Sequence, residues 1–355
     1  MRALALLVAL CCACASPGPV VEATPVPTRE PGTFDVTVLL DLSGARSAIG
    51  NAQRAAMQLW LDQNPSRQIR AKFVDLAGTD ARLLIELRRA AVDDRADAVV
   101  IGVPVEYDDT FVRGVAAASL PVLLTLPAPD PSDSRWAFGL APTYADLARL
   151  ELDDVIARGL IAPTLLVSDE SALSIGERIA LGREFDRRGL VRPTIVSVTA
   201  QDAAQRMRAG AGVARSMLLT GAMSTYLDAA RSLASAGITP RAYVSYVSDN
   251  AEISSLRDAQ PMVTWPGSRK LARAGAPSTV AATAYDALAI IEAAVAGGAD
   301  AATVRERLEG GTFVGIASTY AFARTRHAGF AVKDLAYLRW VAGRAIIAPA
   351  QEPSN

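Results

Sequence analysis

The chain has 355 residues, 51% of them hydrophobic, with 36 basic and 37 acidic side chains and a formal net charge of −1. A chain of this length and composition buries a large core and divides into more than one lobe, which excludes a disordered protein. The balanced charge leaves no excess to draw the chain to a nucleic acid backbone or an anionic membrane surface, so neither is an expected partner.

The N-terminal stretch MRALALLVALCCACASPG places one arginine ahead of a short apolar run that ends in small residues, the layout of a secretory signal. The run is too short to span a bilayer. All three cysteines, Cys11, Cys12 and Cys14, fall inside it, so the remainder carries no thiol and forms no disulfide. Their clustering is open to two readings: ordinary signal composition, or a resemblance to a bacterial lipoprotein signal, in which a cysteine after a small residue is lipidated. Ala13-Cys14 fits that pattern best and assigns lipidation to Cys14 and the signal to residues 1–14. Cys11 stands where the pattern usually has leucine, which keeps Cys12 as the alternative. A metal site is not expected there, because no histidine or carboxylate is adjacent. Residues 15–33 hold several prolines and no large apolar cluster, and read as an extended tether.

From Thr33 the pattern is strand, then helix, repeated. Val36 to Leu40 is a β-branched and leucine run without polar alternation, suited to a parallel strand buried on both faces. Asp41, Ser43 and Gly44 supply turn chemistry, and Ala52, Ala55, Ala56 and Leu59 then repeat at helical spacing. The loop Leu42 to Gly50 therefore lies beyond the carboxyl end of a parallel strand, where open α/β sheets bind ligands. Next come a strand from Ile69 to Leu76, a helix from Asp80 to Val92, a strand into Gly102, a helix near Tyr107 to Ala118, and a strand from Leu120 to Leu126.

A second series follows: a helix from Tyr144 to Ala157, a strand from Ala162 to Ser168, a helix from Gly176 to Arg188, strands at TIVSVTA and SMLLTGA, a helix from Thr225 to Ala236, and the strand AYVSYVS. The spacing predicts right-handed βαβ crossovers and two similar α/β lobes in tandem, with junctions near Ala141 to Asp146 and Thr264 to Gly267. The last third adds the helix TVAATAYDALAIIEAAVAGG, a short helix from Ala302 to Glu309, and strands around Phe313 to Phe322 and Asp334 to Ile347, with a polar turn carrying His327 and Gly329 between them.

The segments VTVLLDLSGARSAIGNAQRAAMQLWLDQN, ADAVVIGVP, SLPVLLTLPAP, RWAFGLAPTYADLARLELDDVIARG, TLLVSDESALSIGERIA, TAYDALAIIEAA and GTFVGIASTYAF occur in this order. In that order the chain resembles the type I periplasmic binding proteins, in the leucine/isoleucine/valine-binding branch that serves ABC importers and amino acid transport. The resemblance covers Phe34 to Ile347. It implies an α/β fold of two parallel-sheet, Rossmann-like lobes joined by a three-stranded hinge, closing on a ligand held between them. One lobe would be residues 34–141 plus 267–329, the other 142–266 plus 330–348, with residues 349–355 as a tail.

Amino-acid-binding members hold the ligand's carboxylate and ammonium through hydroxyls, backbone groups and an acidic side chain among aromatic residues, since an unpaired buried charge is costly. By the same resemblance, the ligand-binding candidates are Ser43, Gly44, Ile49, Val105 and Thr125 from one lobe and Ile175, Met223 and Ser248 from the other. Several depart from the pattern. Ile49 and Ile175 precede glycines where aromatics are usual, Val103, Pro104 and Val105 stand where a serine cluster sits, and Met223 and Ser248 replace an aromatic and an acidic residue, with Ser174, Asp249 and Glu106 as neighbours able to fill those roles. The replacements run toward the apolar, so a weakly polar ligand, or no small ligand, is expected rather than an ordinary α-amino acid.

Catalysis has little support. His327 is the only histidine and reads as solvent-exposed, and without a thiol the familiar triads and zinc sites lack members. AGAGVARS lacks the third glycine of a dinucleotide loop and reads as a turn. The acidic pairs Asp93-Asp94, Asp108-Asp109 and Asp153-Asp154 read as solvated helix faces or ends, and Trp60 and Trp340 as packing residues. The expectation is a non-enzymatic, extracytoplasmic solute-binding lipoprotein of an ABC importer: a monomer with a small-molecule ligand, a membrane permease as partner, a lipid anchor as its membrane contact, and no cofactor or metal. The rival is a sensor or partner-binding lipoprotein on the same scaffold with a degenerate cleft.

Overall fold

Phe34–Leu40 forms strand β1, buried along its length except at Asp35, as its unbroken apolar pattern requires. It is the second strand of a parallel sheet of five, ordered β2-β1-β3-β4-β5, with β2 Ile69–Asp75, β3 Ala98–Ile101, β4 Val122–Leu124 and β5 Ala137–Gly139. The computed structural model describes residues 32–65, 68–198, 202–221, 237, 241–248, 259–264, 271, 279–341 and 344–349.

Three helices accompany these strands: α1 Ser47–Gln63, α2 Leu83–Val92 and α3 Asp109–Ala118. A 3-10 turn, Asp80–Arg82, takes the place of the first turn expected of α2. Asp108 caps α3 by accepting from the backbone N–H groups of Thr110 and Phe111 at 2.9 and 2.8 Å. Gly50 lets α1 sit on the end of β1: a Cβ there would lie 1.9 Å from the Asp41 carbonyl oxygen.

The second sheet has seven strands, ordered β14-β13-β10-β9-β8-β6-β7. Strands β6 Thr164–Ser168, β7 Thr194–Ser197, β8 Ser216–Leu219, β9 Arg241–Val244 and β10 Ala259–Thr264 are parallel. β13 Leu335–Val341 and β14 Arg344–Pro349 complete it as an antiparallel hairpin against β10. Between them in sequence, β11 Thr312–Val314 and β12 Thr319–Ala321 form a separate small hairpin. This is the expected architecture of two parallel-sheet α/β regions with helices.

Helices α4 Tyr144–Ala157 and α5 Ala172–Arg187 pack against one another beside the second sheet. α5 starts one turn earlier than its glycine suggested, because the Ser171 hydroxyl caps it by accepting from the Ser174 N–H at 3.2 Å. α6 Ala203–Ala211, which the sequence did not predict, takes in Ala209 to Ala211 of the segment read as a turn, and only Gly212 to Arg215 turn into β8. α7 Thr279–Val295, apolar nearly all round, is buried and packs on α1, which returns the chain to the first sheet; α8 Ala301–Glu309 follows.

Two residues that the sequence placed in solvent, His327 and Asp154, are buried. His327 is buried, 1% exposed, where a polar turn suggested solvent. Its ring stacks on Phe138 with centroids 4.6 Å apart, and Nδ1 lies 2.8 Å from the Ala137 carbonyl oxygen. The cause is the backbone: the His327 carbonyl accepts from Gly139 N–H at 2.9 Å and the Gly139 carbonyl from Gly329 N–H at 3.0 Å, which lays the segment against the end of β5. Asp154 is likewise not solvated. It is buried, 2.6 Å from the Arg158 guanidinium, and accepts the Tyr243 hydroxyl at 2.8 Å. Trp60 is buried in the core, as expected. The signal with Cys11, Cys12 and Cys14, the tether as far as Pro31, the helix expected from Thr225 to Ala236, and the Trp340 side chain lie outside the described residues.

Candidate functional site

The carboxyl ends of parallel strands open onto one cleft of about 810 Å³. That volume suits a small-molecule ligand, for which pockets run from roughly 300 to 1,000 Å³. One wall comes from the loops after β2, β3 and β4, with Asp80, the run Val105 to Asp108, Pro129 and Asp130. The other comes from α5 and the loop before it, with Thr143, Tyr144 and Ala145 between the two.

Helical spacing sets the chemistry of the α5 wall. Ile175, Ile179, Arg183 and Arg187 recur every four residues and so share a face, apolar in its first half and basic in its second. Gly176 keeps that wall low, because a Cβ there would lie 2.4 Å from the Tyr144 ring. Ile179 is 47% exposed, an apolar side chain offered to the cleft rather than to the core.

Most charges in the lining are already engaged. Asp80 pairs with Arg46 at 2.6 Å, and Asp130 accepts from the backbone N–H groups of His327 and Ala328 at 3.2 and 3.0 Å. Glu184 lies 2.6 Å from Arg187 and 2.7 Å from Arg188, and the Arg187 hydrogen bonds are the main cause holding its carboxyl down at about 2. Among the described residues, Glu106 and Arg183 are the charged lining groups with neither an ion pair nor a side-chain hydrogen bond. The surface is thus largely apolar, with one unengaged charge of each sign.

Val105 and Ile175 are brought together in this cleft. Ser43, Gly44, Ile49 and Thr125 are placed outside its lining. The Ser43 hydroxyl donates to Asp75 at 2.7 Å, and the same carboxylate accepts from the N–H groups of Leu42, Ser43 and Ala77, so the β1–α1 loop is tied to the end of β2. These bonds, that from Ser43 Oγ foremost, hold the Asp75 carboxyl down at about 2. Gly44 makes the turn with φ +79°, and Ile49 is buried in the core. Thr125 is fully buried: its hydroxyl donates to Gln53 Oε1 at 2.5 Å, while Gln53 Nε2 donates to the Gly102 carbonyl at 2.7 Å. Ser174 is consumed in the same way, 2.6 Å from the Thr220 hydroxyl and 2.9 Å from that of Ser168. Met223 and the Ser248 side chain lie outside the described residues.

Sequence reasoning missed two contributors. Tyr144 forms the floor, and its signal was present as an aromatic directly after a Thr cap, since Thr143 Oγ1 accepts from Asp146 N–H at 3.1 Å. Glu177 lies behind that floor, accepting from the Gly221 N–H at 2.8 Å and from the Ser245 hydroxyl, which joins α5 to the ends of β8 and β9. Burial pushes its carboxyl up to about 8. No group of three or more His, Cys, Asp and Glu side chains able to hold a metal ion occurs among the described residues. No helix among them is long and apolar enough to cross a membrane.

Two parallel sheets, a return segment laid against β5 and a cleft at the strands' carboxyl ends define the fold of the type I periplasmic binding proteins. Solved structures with this fold include "a possible leucine/isoleucine/valine-binding protein" from Rhodopirellula baltica SH 1 (15% identity, 94% of this chain and 100% of that one, TM-score 0.78). A type 1 periplasmic binding protein from Bordetella pertussis Tohama I matches at 14% identity over 89% of this chain and 100% of that one, TM-score 0.75. The branched-chain amino acid transporter substrate binding protein LivJ from Streptococcus pneumoniae, in complex with isoleucine, matches at 15% identity over 88% of this chain and 97% of that one, TM-score 0.72. At such identities the likeness establishes the fold. No protein-family model and no curated protein sequence matches the chain.

Proposed function

We propose that this chain is an extracytoplasmic solute-binding lipoprotein of an ABC-type importer, capturing a small, weakly polar ligand between two lobes. The observation that carries the reading is the cleft of about 810 Å³, walled by Val105, Ile175 and Ile179, at the carboxyl ends of parallel strands. The solute-binding titles of the proteins that share the fold support it. The lobes are residues 34–141 plus 267–329 and 142–266 plus 330–348. A ligand favours the closed form only by its extra contacts there, so it must touch both walls. Cys14 is the lipid attachment point, the protein is a binder rather than a catalyst, and its partner is a membrane permease.

A thermal-shift screen over small metabolites tests the reading, because a ligand that binds only the folded state raises apparent stability. Hits among weakly polar compounds, confirmed by titration calorimetry, are expected. Micromolar binding of leucine or valine would sink the weakly polar assignment, and absence of label from a radioactive fatty acid, or equal label on Cys14→Ser, would sink the anchor.

One observation favours the second reading, a sensor or partner-binding lipoprotein with a degenerate cleft. The hydroxyls of Ser43 and Thr125, candidates for ligand contact, are engaged with Asp75 and Gln53 instead. Genes for a permease and an ATPase beside this one favour transport; cell-wall or signalling genes favour the alternative.

A further inference from the structure

The two walls of the cleft repeat one pattern. On the first, buried Val105 is followed by exposed Glu106 in the loop after β3; on the second, Ile175 and half-exposed Ile179 are followed, one turn further along α5, by exposed Arg183. Each wall offers an apolar contact with a charge beside it, and the two charges have opposite sign.

The other charges of the lining have partners already. On the first wall Asp108 caps α3, Asp130 holds the backbone N–H groups of His327 and Ala328, and Asp80 is paired with Arg46. On the second, Glu170 lies 3.4 Å from Arg178, and Glu184 holds Arg187 and Arg188. Glu106 and Arg183 are exposed to water in this structure, which satisfies both. Closure of the walls changes that, because it takes water from both groups, and a charge removed from water without a partner is costly. A weakly polar ligand brings no charge to match either one. Among the described lining residues, each is the other's one unengaged counter-charge.

We propose that Glu106 and Arg183 form an ion pair across the cleft when its walls close, a latch that lets the protein enclose a ligand through apolar contacts alone. The pair exists only in the closed form, so its strength shifts the open and closed populations directly. For an ion pair near solvent that shift is about two- to fivefold, and salt weakens it. The inference rests on the reading of this cleft as one that closes on a solute, and its test needs no solute.

Arg183→Lys keeps the positive charge and supplies an amine, which a water-soluble carbodiimide joins to a carboxylate only where the two touch. The full-length variant, in mild detergent and without added solute, is coupled at about 0.01 M and about 1 M sodium chloride, between which the screening length shrinks from about 30 to about 3 Å. Peptide mass spectrometry is expected to find positions 106 and 183 joined, with a yield that falls about threefold or more in the higher salt. Lys72 and Asp94, 2.6 Å apart on one lobe, give the reference link that shows the chemistry has worked. Adding Glu106→Gln should abolish the link between 106 and 183, and the exchange of Glu106→Lys with Arg183→Glu should restore it. No such link beside the reference one, a link made instead to Asp80, Asp108 or Asp130, or a yield indifferent to salt would overturn the latch. A metabolite screen without hits would sink the solute reading and leave the link in place, whereas a missing link leaves any hits of that screen in place.

Discussion

Thr125 Oγ1 donates to Gln53 Oε1 at 2.5 Å in the fully buried space between α1 and the end of β4. The Thr125 carbonyl in turn accepts from the Thr283 hydroxyl at 2.9 Å, so α1, α7 and the end of β4 meet at one residue. Thr125→Val preserves the shape and leaves the Gln53 oxygen without that donor. The expected loss is about 1–3 kcal/mol of unfolding free energy by urea titration. A change under 0.5 kcal/mol would place Thr125 outside the structural network.

Ile179 offers the converse case, an apolar side chain half in solvent on the cleft wall. Ile179→Asp is expected to leave stability within about 0.5 kcal/mol, as for exposed positions generally. The same variant should weaken binding of any ligand found by the screen at least tenfold by calorimetry. Val191, 85% exposed and outside the cleft lining, serves as the control: Val191→Asp should alter neither property.

Glu177 makes stability depend on pH with a defined sign. Its carboxyl, raised by burial to about 8, binds protons more tightly in the folded state than in the unfolded one. The folded state is therefore favoured fully below the ordinary glutamate value, and that advantage is lost as pH rises toward about 8. Glu177→Gln should reduce, without abolishing, the slope of unfolding temperature against pH across this window, because burial raises the Glu151 carboxyl to about 8 as well. An unchanged slope would assign the dependence to another group.

Asp75 acts in the opposite direction. Its carboxyl is held down at about 2, first by the Ser43 hydroxyl, so its contribution is present above the ordinary aspartate value and is lost as pH falls through about 2. Ser43→Ala should raise the Asp75 titration midpoint measured by NMR, and Asp75→Asn should flatten the acid limb of stability. An unmoved midpoint in Ser43→Ala would free the Ser43 hydroxyl for another role.

Gly50 is fixed by contact rather than by turn geometry. A Cβ would overlap the Asp41 carbonyl oxygen, backbone that cannot swing aside. Gly50→Ala should destabilise the chain by about 3 kcal/mol or more in urea, among the larger single-residue effects. Gly159→Ala is the comparison: its Cβ would meet nothing, and only its φ of +66° opposes the change, which should cost about 1 kcal/mol.

The sequence by itself determined the alternation of strands and helices, because apolar runs such as Val36 to Leu40 suit buried strands and the 3.6-residue repeats between them suit helices covering a sheet, but it left out β5, α6 and β10, which are short and lack a strong periodic pattern. It also carried the tandem α/β architecture and the cleft positions of Val105 and Ile175. Only the tertiary structure decided where hydroxyls and charges point. Ser43 and Thr125 carry the same chemistry whether they face a ligand or a buried partner, and Asp75 and Gln53, distant in sequence, settle which. His327 looked exposed because its neighbours in sequence are polar, whereas Gly139 and Phe138, nearly two hundred residues earlier, bury it. Periodicity records which face of an element is covered, but the identity of a polar group's partner depends on contacts between remote segments, and no local pattern encodes them.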